Sequence, residues 1–473
     1  MLPLAGRPLH RPRRRTGREA ACAAWLLLFG LSACGGEAEP AASAAGATRL
    51  PAQRPRNLIV LSIDTLRADH LGCYGYERET SPAIDAFAAR GTLFEEAFTT
   101  ASWTVPAHAS LFTGLYPRSH GVENLKQRLP ADAPTLAELL GGAGLETAAI
   151  VNVYFLGRHS TLSRGFEHTG QYPPKGDETG AAPRLLAAAE DWLEATEEPF
   201  FLFLHCYDVH ASYQAQAEFT DRFCGPYEGP VDGTGGQLFF YNEGRLEQEW
   251  GPRDAARLVD LYDAGLRQFD TRLAGFFQYL DRSGLSESTL VVVTSDHGEA
   301  FLEHGVVMHG RTLYEEELAV PLIFVGPGVP AGQRIAGAVS LVDLVPTVLG
   351  QFSVELPAHV EGVDLAPTWR TGAPAPEREL YFETVGGPRD DAPQRALRAG
   401  DFKLYRDART ETLRLFDLAR DPGEVHDVAA DHPAVFARLA NELGAFEAAR
   451  RTLEPAGQLS AQEIEALQML GYL

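Results

Sequence analysis

The sequence predicts an α/β fold: a large central sheet, mainly parallel or mixed, with helices on both faces, plus a small C-terminal antiparallel subdomain. Three observations carry this. Residues 58–63, 200–204 and 290–293 are short, continuous apolar runs, the pattern of strands buried on both faces. The stretches between them have helical periodicity at 82–90, 135–140, 183–195, 254–282 and 341–349, which supplies crossovers for parallel strands. Near the end of the chain, 395–405 and 412–418 alternate as antiparallel strands do, and 433–451 reads as an amphipathic helix.

With 473 residues, 45% of them hydrophobic and 10% aromatic, the chain can bury a large core. Its 64 acidic residues against 41 Lys and Arg give a formal net charge of -23. That excess excludes nucleic acid as a partner, because nothing offsets repulsion from the phosphates. Five Cys are too few for a disulfide scaffold. Composition also excludes collagen, coiled coil and a polytopic membrane protein.

In chain order, Arg7, Arg11, Arg13, Arg14, Arg15 and Arg18 precede an apolar stretch at 20–30 that is too short to span a bilayer. This is the layout of an export signal. Arg13-Arg14-Arg15 is not followed by the hydrophobic residues of a twin-arginine motif. Leu31-Ser32-Ala33-Cys34-Gly35 resembles a bacterial lipobox, and the alternative is an ordinary signal peptide cleaved nearby. The expectation is a lipoprotein signal peptide over 1–34 and membrane attachment through a lipid anchor at Cys34. The protein would sit on a bacterial membrane, the outer membrane facing the periplasm or the cell surface. Residues 35–56, rich in Ala, Gly, Glu and Pro, read as a flexible tether. The main domain then runs over 57–377 and the smaller subdomain of strands plus helices over 378–473. In an oxidising space Cys206 and Cys224 are available to pair, leaving Cys73 over.

The strand at 58–63 stops at Asp64, that at 200–204 is followed by His205, Asp208 and His210, and that at 290–293 runs into Thr294-Ser295-Asp296-His297-Gly298. In open α/β sheets ligands bind outside the carboxyl ends of the strands, so Asp64, Asp208, His210, Asp296 and His297 share one edge. A single Asp there commonly caps the next helix. Two Asp-His clusters and a further carboxylate make a site of that edge. Asp64, Asp296 and His297 would be costly to gather without a cation, and their O,O,N set suits manganese, zinc or calcium. In 102–114, Pro106 is tolerated in the first turn of a helix, which places Thr104 at an anion-favouring N-terminus. Thr104 is then either a metal-bound hydroxyl that attacks phosphorus or sulfur, or a plain helix cap.

Six segments occur in an order that resembles the sulfatase family of the alkaline phosphatase superfamily, over residues 57–430. They are Ile63-Asp64-Thr65-Leu66-Arg67 continuing to Gly75, Thr104 to Gly114 with Tyr116-Pro117, and 201–210 with Tyr207-Asp208-Val209-His210. Then follow Ser295-Asp296-His297-Gly298-Glu299, Leu313-Tyr314-Glu315-Glu316 with Val320-Pro321-Leu322, and Leu415-Phe416-Asp417-Leu418 with Asp421-Pro422. The resemblance implies a hydrolase acting on ester bonds, with one divalent metal ion held by Asp64, Thr104, Asp296 and His297. It makes Thr104 the nucleophile. His108 takes the place of an Arg that steadies the nucleophile, and His210 becomes the general acid for the leaving group. His309 and Arg311 lie where the family keeps a Lys against the nonbridging oxygens. A second metal at Asp208, His210 and His309 is the two-ion alternative, and the spacing of Asp208 and His210 fits the one-metal pattern better.

Three departures from the family alter the chemistry expected. Sulfatases usually carry a Cys or Ser oxidised to formylglycine, which Thr104 cannot become by that route. The family's adjacent Asp pair is reduced to Asp64-Thr65, and its Gly-Lys-Trp-His stretch is replaced by Ile150-Val151-Asn152-Val153. A threonine alkoxide is what the phosphodiesterase branch of the superfamily uses, so phosphate or phosphonate esters are favoured over sulfate esters. A small-molecule, glycan or lipid ester is the expected substrate. A transferase to a glycan or lipid acceptor and a silent glycan-binding lipoprotein are the alternatives. The Gly-rich stretch 215–251 is expected to be irregular and to border the pocket. His304 and His426 read as core or surface histidines, His120, in the turn after Pro117, as a structural residue with an approach to the pocket as the lesser alternative, and Glu315-Glu316-Glu317 as a solvated face or a helix start.

Overall fold

The computed structural model describes residues 54–124, 127–157, 160–173, 180–197, 199–384, 393–407, 410, 412–449 and 453. The segments expected to be a signal peptide (1–34), an anchor (Cys34) and a tether (up to residue 53), and the chain from 454 on, lie outside the described residues.

The first half of the chain supplies β1 (Asn57–Ile63), α1 (Pro82–Ala88), β2 (Thr92–Phe98), α2 (Thr104–Thr113), α3 (Pro117–His120) and α4 (Leu136–Gly142). Next come β3 (Glu146–Val151), β4 (His168–Gln171), α5 (Ala182–Ala195), β5 (Phe200–Cys206), α6 (Ala217–Phe223) and α7 (Gly235–Asn242). The long helix α8 (Pro252–Arg282) leads to β6 (Thr289–Thr294), β7 (Ala300–Phe301), β8 (Val307–Met308), α9 (Glu315–Leu318), β9 (Ala319–Val325) and β10 (Gln333–Ser340). The remainder is α10 (Leu344–Phe352), α11 (Ala366–Thr371), β11 (Leu380–Thr384), β12 (Gln394–Ala399), β13 (Phe402–Asp407), β14 (Thr412–Asp417) and α12 (Pro433–Ala448).

β1, β5 and β6 are buried at every position, as their apolar runs require, and they lie side by side in an eight-stranded sheet ordered β10-β2-β9-β6-β1-β5-β3-β4. All neighbours are parallel except β9, which is antiparallel to both β2 and β6. The sheet is thus mixed and mainly parallel. Its register sets the chemistry: Ser62 pairs with His205 on one side and Thr294 on the other. Asp64, His205 and Asp296 therefore leave the sheet at nearly one level.

One face is covered by α1, α5 and α8, whose Phe87 and Phe277 rings stack at 3.9 Å over Leu61, Leu202 and Val293 of the common core. The other carries α2, α4, α10 and α11 over Leu58, Val60, Phe203 and Val292. Each large side chain withdrawn from water in this way contributes about 1.5–3 kcal/mol against chain entropy.

The C-terminal sheet runs β11-β12-β13-β14, antiparallel throughout. One face packs on α12 through Leu397, Leu404, Leu415, Leu439 and Leu443, and the other meets the main body through Phe98, Leu318, Phe382, Tyr405 and Phe416. The alternating run at 395–405 is a hairpin of two strands, because Gly400 turns the chain at φ 60.

The structure corrects several readings. Residues 215–251 hold α6 and α7 rather than an irregular loop, and α7 leans on β8 through Asn242, whose Nδ2 donates to Val307 O at 2.6 Å. Cys73, Cys206 and Cys224 are all free thiols, so the 206–224 pair does not form. Glu316 and Glu317 start a helix but are buried, not solvated. Among the described residues no helix is long and apolar enough to cross a membrane.

Candidate metal centre and nucleophile

Asp64, immediately after β1, and Asp296 and His297, after β6, offer ligand atoms that all lie within 4.8 Å of one another and are wholly buried. Both Asp64 oxygens and Asp296 Oδ2 have no hydrogen-bond donor. His297 Nδ1 faces the Gly298 carbonyl at 3.0 Å. A carbonyl only accepts, so the proton sits on Nδ1 and Nε2 presents a lone pair. That lone pair looks at Asp296 Oδ2 at 3.3 Å and Asp64 Oδ1 at 3.7 Å. Three electron-rich groups facing one another in a dry pocket need positive charge between them. The residues fit a divalent cation, and the buried oxygens without donors are the observation that shows it.

Thr104 opens α2 as its first helical residue and is 3% exposed. Its Oγ1 lies 3.2 Å from His297 Nε2, on the rim of the same cluster. The helix start is set by Trp103 in extended conformation, and Gly114 closes the helix in the left-handed region at φ 69. The hydroxyl is therefore held by backbone geometry at the positive end of a helix and against the metal ligands.

His108, one turn along α2, lies beneath Thr104. Its Nδ1 donates to Thr104 O at 2.8 Å, and its Nε2 meets Ser62 Oγ at 3.0 Å. Nδ1 is also 3.6 Å from Asp296 Oδ2. Burial pushes this imidazole down to about 3, so it works as a neutral donor that fixes the first turn of α2.

Outward from the centre the rings of His297 and His309 are 4.3 Å apart, and those of His309 and His210 are 4.8 Å apart. His309 Nδ1 lies 3.1 Å from Glu299 Oε1. Burial lowers His309 to about 4 and raises Glu299 to about 8. His210 donates from Nδ1 to Ala211 O at 2.5 Å, and its Nε2 accepts from Tyr207 Oη at 2.7 Å. Burial, and after it His309, hold its pKa well below the usual imidazole value.

The structure thus brings Asp64, Thr104, His108, His210, Asp296, His297 and His309 together. It does not bring Asp208. That carboxylate accepts from the Ala181 and Ala182 amides at the start of α5, at 2.9–3.2 Å, and pairs with Arg272 at 3.0 Å. A second metal at Asp208, His210 and His309 is not formed, because the carboxylate caps a helix instead. Arg311 turns to Glu243 at 2.8 Å, so its guanidinium does not stand as an unpaired cation over the site. His120 bonds Ser110 Oγ and the Val122 amide, and His304 pairs with Glu316 while stacking on Tyr314, so both are structural.

Sequence reasoning assigned no role to His205, Ser62 or Tyr207. His205 follows the apolar run of β5 as Asp64 follows that of β1, the one signal that marked it.

The Sulfatase family profile matches residues 56–354, and the profile of the N-sulphoglucosamine sulphohydrolase C-terminal region matches 302–448. The chain is 24% identical over 447 residues to the Delta 4,5-hexuronate-2-O-sulfatase of Bacteroides thetaiotaomicron, covering 85% of this chain and 88% of that protein. Among solved structures, one captured with its substrate D-glucosamine-2-N,6-O-disulfate superposes at TM-score 0.71 with 20% identity, over 84% of this chain and 98% of that one. The phosphonate monoester hydrolase of Agrobacterium radiobacter superposes at TM-score 0.69 with 22% identity, over 84% and 96%. At these identities the superpositions show a shared fold.

Proposed function

The chain belongs to the sulfatase family, a family of metal-dependent ester hydrolases, and on that premise we propose that it cleaves phosphoric diesters or phosphonic monoesters through Thr104. The observation that carries this is an unmodified secondary hydroxyl at the start of α2, 3.2 Å from a metal-site imidazole. A formylglycine hydrate sheds sulfate by collapsing to its aldehyde, without attack of water on sulfur. A threonine ester has no such exit, so water must attack the central atom, and phosphoryl esters of this kind are the ones the superfamily's threonine enzymes turn over.

Asp64, Asp296, His297 and Thr104 would hold the cation. When bound, it acts as a Lewis acid on a nonbridging oxygen and lowers the pKa of the threonine hydroxyl. The chain's own residues do the rest. His108 fixes the Thr104 carbonyl and with it the direction of Oγ1. The Thr104 Oγ–phosphorus bond forms as the bond to the leaving oxygen breaks. His210 supplies the proton to that oxygen, and an anionic ester arriving in the pocket opposes the burial that keeps the ring neutral beforehand. His309, tied to Glu299, stands between the centre and His210, where it can donate to a nonbridging oxygen. Water then cleaves the threonine ester.

A sulfate-ester reading has its own support, in the C-terminal profile at 302–448 and in the resemblance to a hexuronate sulfatase. We also propose export and lipid attachment at Cys34, supported by the basic segment and the Leu31–Gly35 pattern. The deciding experiment follows nitrophenol release from aryl phosphate diester, phosphonate monoester, phosphate monoester and sulfate, with metal stripped and restored, beside Thr104→Ala. Diester or phosphonate turnover that needs both metal and Thr104, with a loss on the order of a thousandfold or more in the variant, is the expected result. Sulfate turnover that survives Thr104→Ala would overturn the nucleophile assignment.

A further inference from the structure

Asp64, Asp296 and His297 sit on two turns, one after β1 and one after β6, and the ladder that joins these strands ends before any of them is reached. Its last pair is Ser62 with Thr294. Carried on in that register, Asp64 faces Asp296 and Thr65 faces His297. Past the ladder's end the connection is made by a side chain. Ser295 is completely buried, and its Oγ accepts from the Leu66 amide at 2.9 Å while donating to the His297 carbonyl at 2.7 Å. One hydroxyl thus spans the turn that follows Asp64 and the turn that carries His297, with its single donor committed.

Each turn also has braces of its own. Tyr262 of α8 is completely buried, and its Oη donates to Thr65 O at 2.8 Å and accepts from the Arg67 amide at 3.0 Å. These bonds hold Thr65 in the left-handed region at φ 58, a conformation that a β-branched residue keeps only when its surroundings impose it. On the other turn the Gly298 and Glu299 amides donate to Glu317 O and Glu316 O, each at 2.9 Å. Arg67 Nη1 crosses to Glu299 O at 2.8 Å, further along both turns. The Ser295 bridge is the crossing nearer the ligands. The Leu66 amide also lies 3.3 Å from Ile63 O, so loss of the Ser295 hydroxyl does not leave that amide without an acceptor.

We propose that Ser295 is a positioning residue for the metal centre, its hydroxyl holding the Asp64 and His297 turns at the spacing a divalent cation needs before the cation binds. The proposal rests on the reading of Asp64, Asp296 and His297 as that centre, and its test separates the two. Facing carboxylates repel, and the His297 lone pair aimed at them adds no attraction. Bonds outside the ligand set must therefore keep the two turns together, and ordering them becomes part of folding rather than a cost of binding. A brace that served the fold alone would lower stability and leave metal affinity unchanged. A brace that sets the spacing of the ligands must show in the affinity itself.

Metal-stripped full-length protein, titrated with zinc or manganese under chelator competition, reads this directly. Ser295→Ala should weaken binding by on the order of 10–100-fold, and added metal should raise its melting midpoint by less than it raises that of the parent. Tyr262→Phe, which unties Thr65, is the second variant and should weaken binding by about tenfold. Thr347→Val is the control. It removes an equally buried hydroxyl of α10 that accepts from the Leu365 amide at 2.9 Å, and it should lower stability with metal affinity unchanged. Unchanged affinity in Ser295→Ala overturns the proposal; should that chain not fold, unchanged affinity in Tyr262→Phe does so. An equal loss of affinity in Thr347→Val also overturns it, since the effect would then be a general loosening. Asp296→Ala tests the reading beneath: if it binds metal as the parent does, the centre itself falls.

Discussion

Burial acts on every carboxylate in the interior, and the neighbours of each one decide the outcome. Asp296 is dry, which raises its pKa, but the imidazoles of His297, His108, His205 and His309 more than offset this and bring it to about 2. Asp64 is equally dry, faces Asp296, and is pushed well up. Glu317 shows mainly the effect of burial: it is completely buried, accepts from the Arg311 amide at 3.3 Å and pairs with the Thr312 hydroxyl, and sits at about 8. A folded-state value above the unfolded one means that the folded chain holds the proton longer. Its share of stability is full below the ordinary value of 4.5 and is lost as pH rises through about 8. Glu317→Gln keeps both bonds, with the amide N–H donating to Thr312, and cannot ionise. Its stability relative to the parent should therefore rise between about pH 5 and about pH 8.5, reaching about 2–4 kcal/mol. Denaturant melts of both proteins across that range check this, and parallel curves would show that the buried acid contributes nothing.

At the scale of elements, the same residue type serves two ends, and position in the strand does not separate them. Asp208 follows β5 much as Asp64 follows β1, yet it turns to the amide end of α5, whose own N-cap residue is Ala181 with no side-chain acceptor. Asp208→Ala should destabilise the protein by about 2–4 kcal/mol, since it strips a helix start of its acceptor and removes the carboxylate that Arg272 pairs with. Metal content should remain at one ion per chain; a loss of bound metal in this variant would return Asp208 to the centre. β1, β5, β6 and α2 were legible because their signals are local: unbroken apolar runs, and a Pro placed inside a first turn. Asp64, Asp296 and His297 were legible as strand-end residues for the same reason. What stayed hidden depends on partners distant in sequence. The engagement of Arg311 by Glu243, the commitment of His108 to Ser62 and the approach of His205 to Asp64 arise only once segments distant in sequence are brought together. The α6 and α7 helices hid within a Gly-rich stretch because their stability comes from packing on α8 and β8 rather than from propensity.

For the whole molecule, the two sheets divide the labour. The main sheet presents its carboxyl ends, and the small one steadies the segment that brings His309 to them: Gln394 Nε2 of β12 donates to Arg311 O at 2.6 Å, and Arg414 of β14 reaches Tyr314 Oη at 2.5 Å. The strand that leads into the centre also fixes its direction. β1 enters the sheet at Asn57 and delivers Asp64 seven residues later, about 23 Å along at strand rise. Any attachment made before residue 57 therefore joins the edge of the sheet opposite the active carboxyl ends. A lipid at Cys34 would hold the protein by its far side and leave the centre open to soluble esters or glycan chains. On the proposed attachment, the anchor would set location without entering the chemistry. Cys34→Ala, expressed in a bacterium that processes lipoproteins, should move the protein from the membrane fraction to the soluble one and end incorporation of labelled fatty acid. Turnover of a soluble aryl ester should stay within about twofold of the parent, because no bond at the centre depends on that end of the chain. Membrane retention of the variant would refute the anchor, and a large fall in turnover with intact metal content would show that attachment and catalysis are coupled through the sheet.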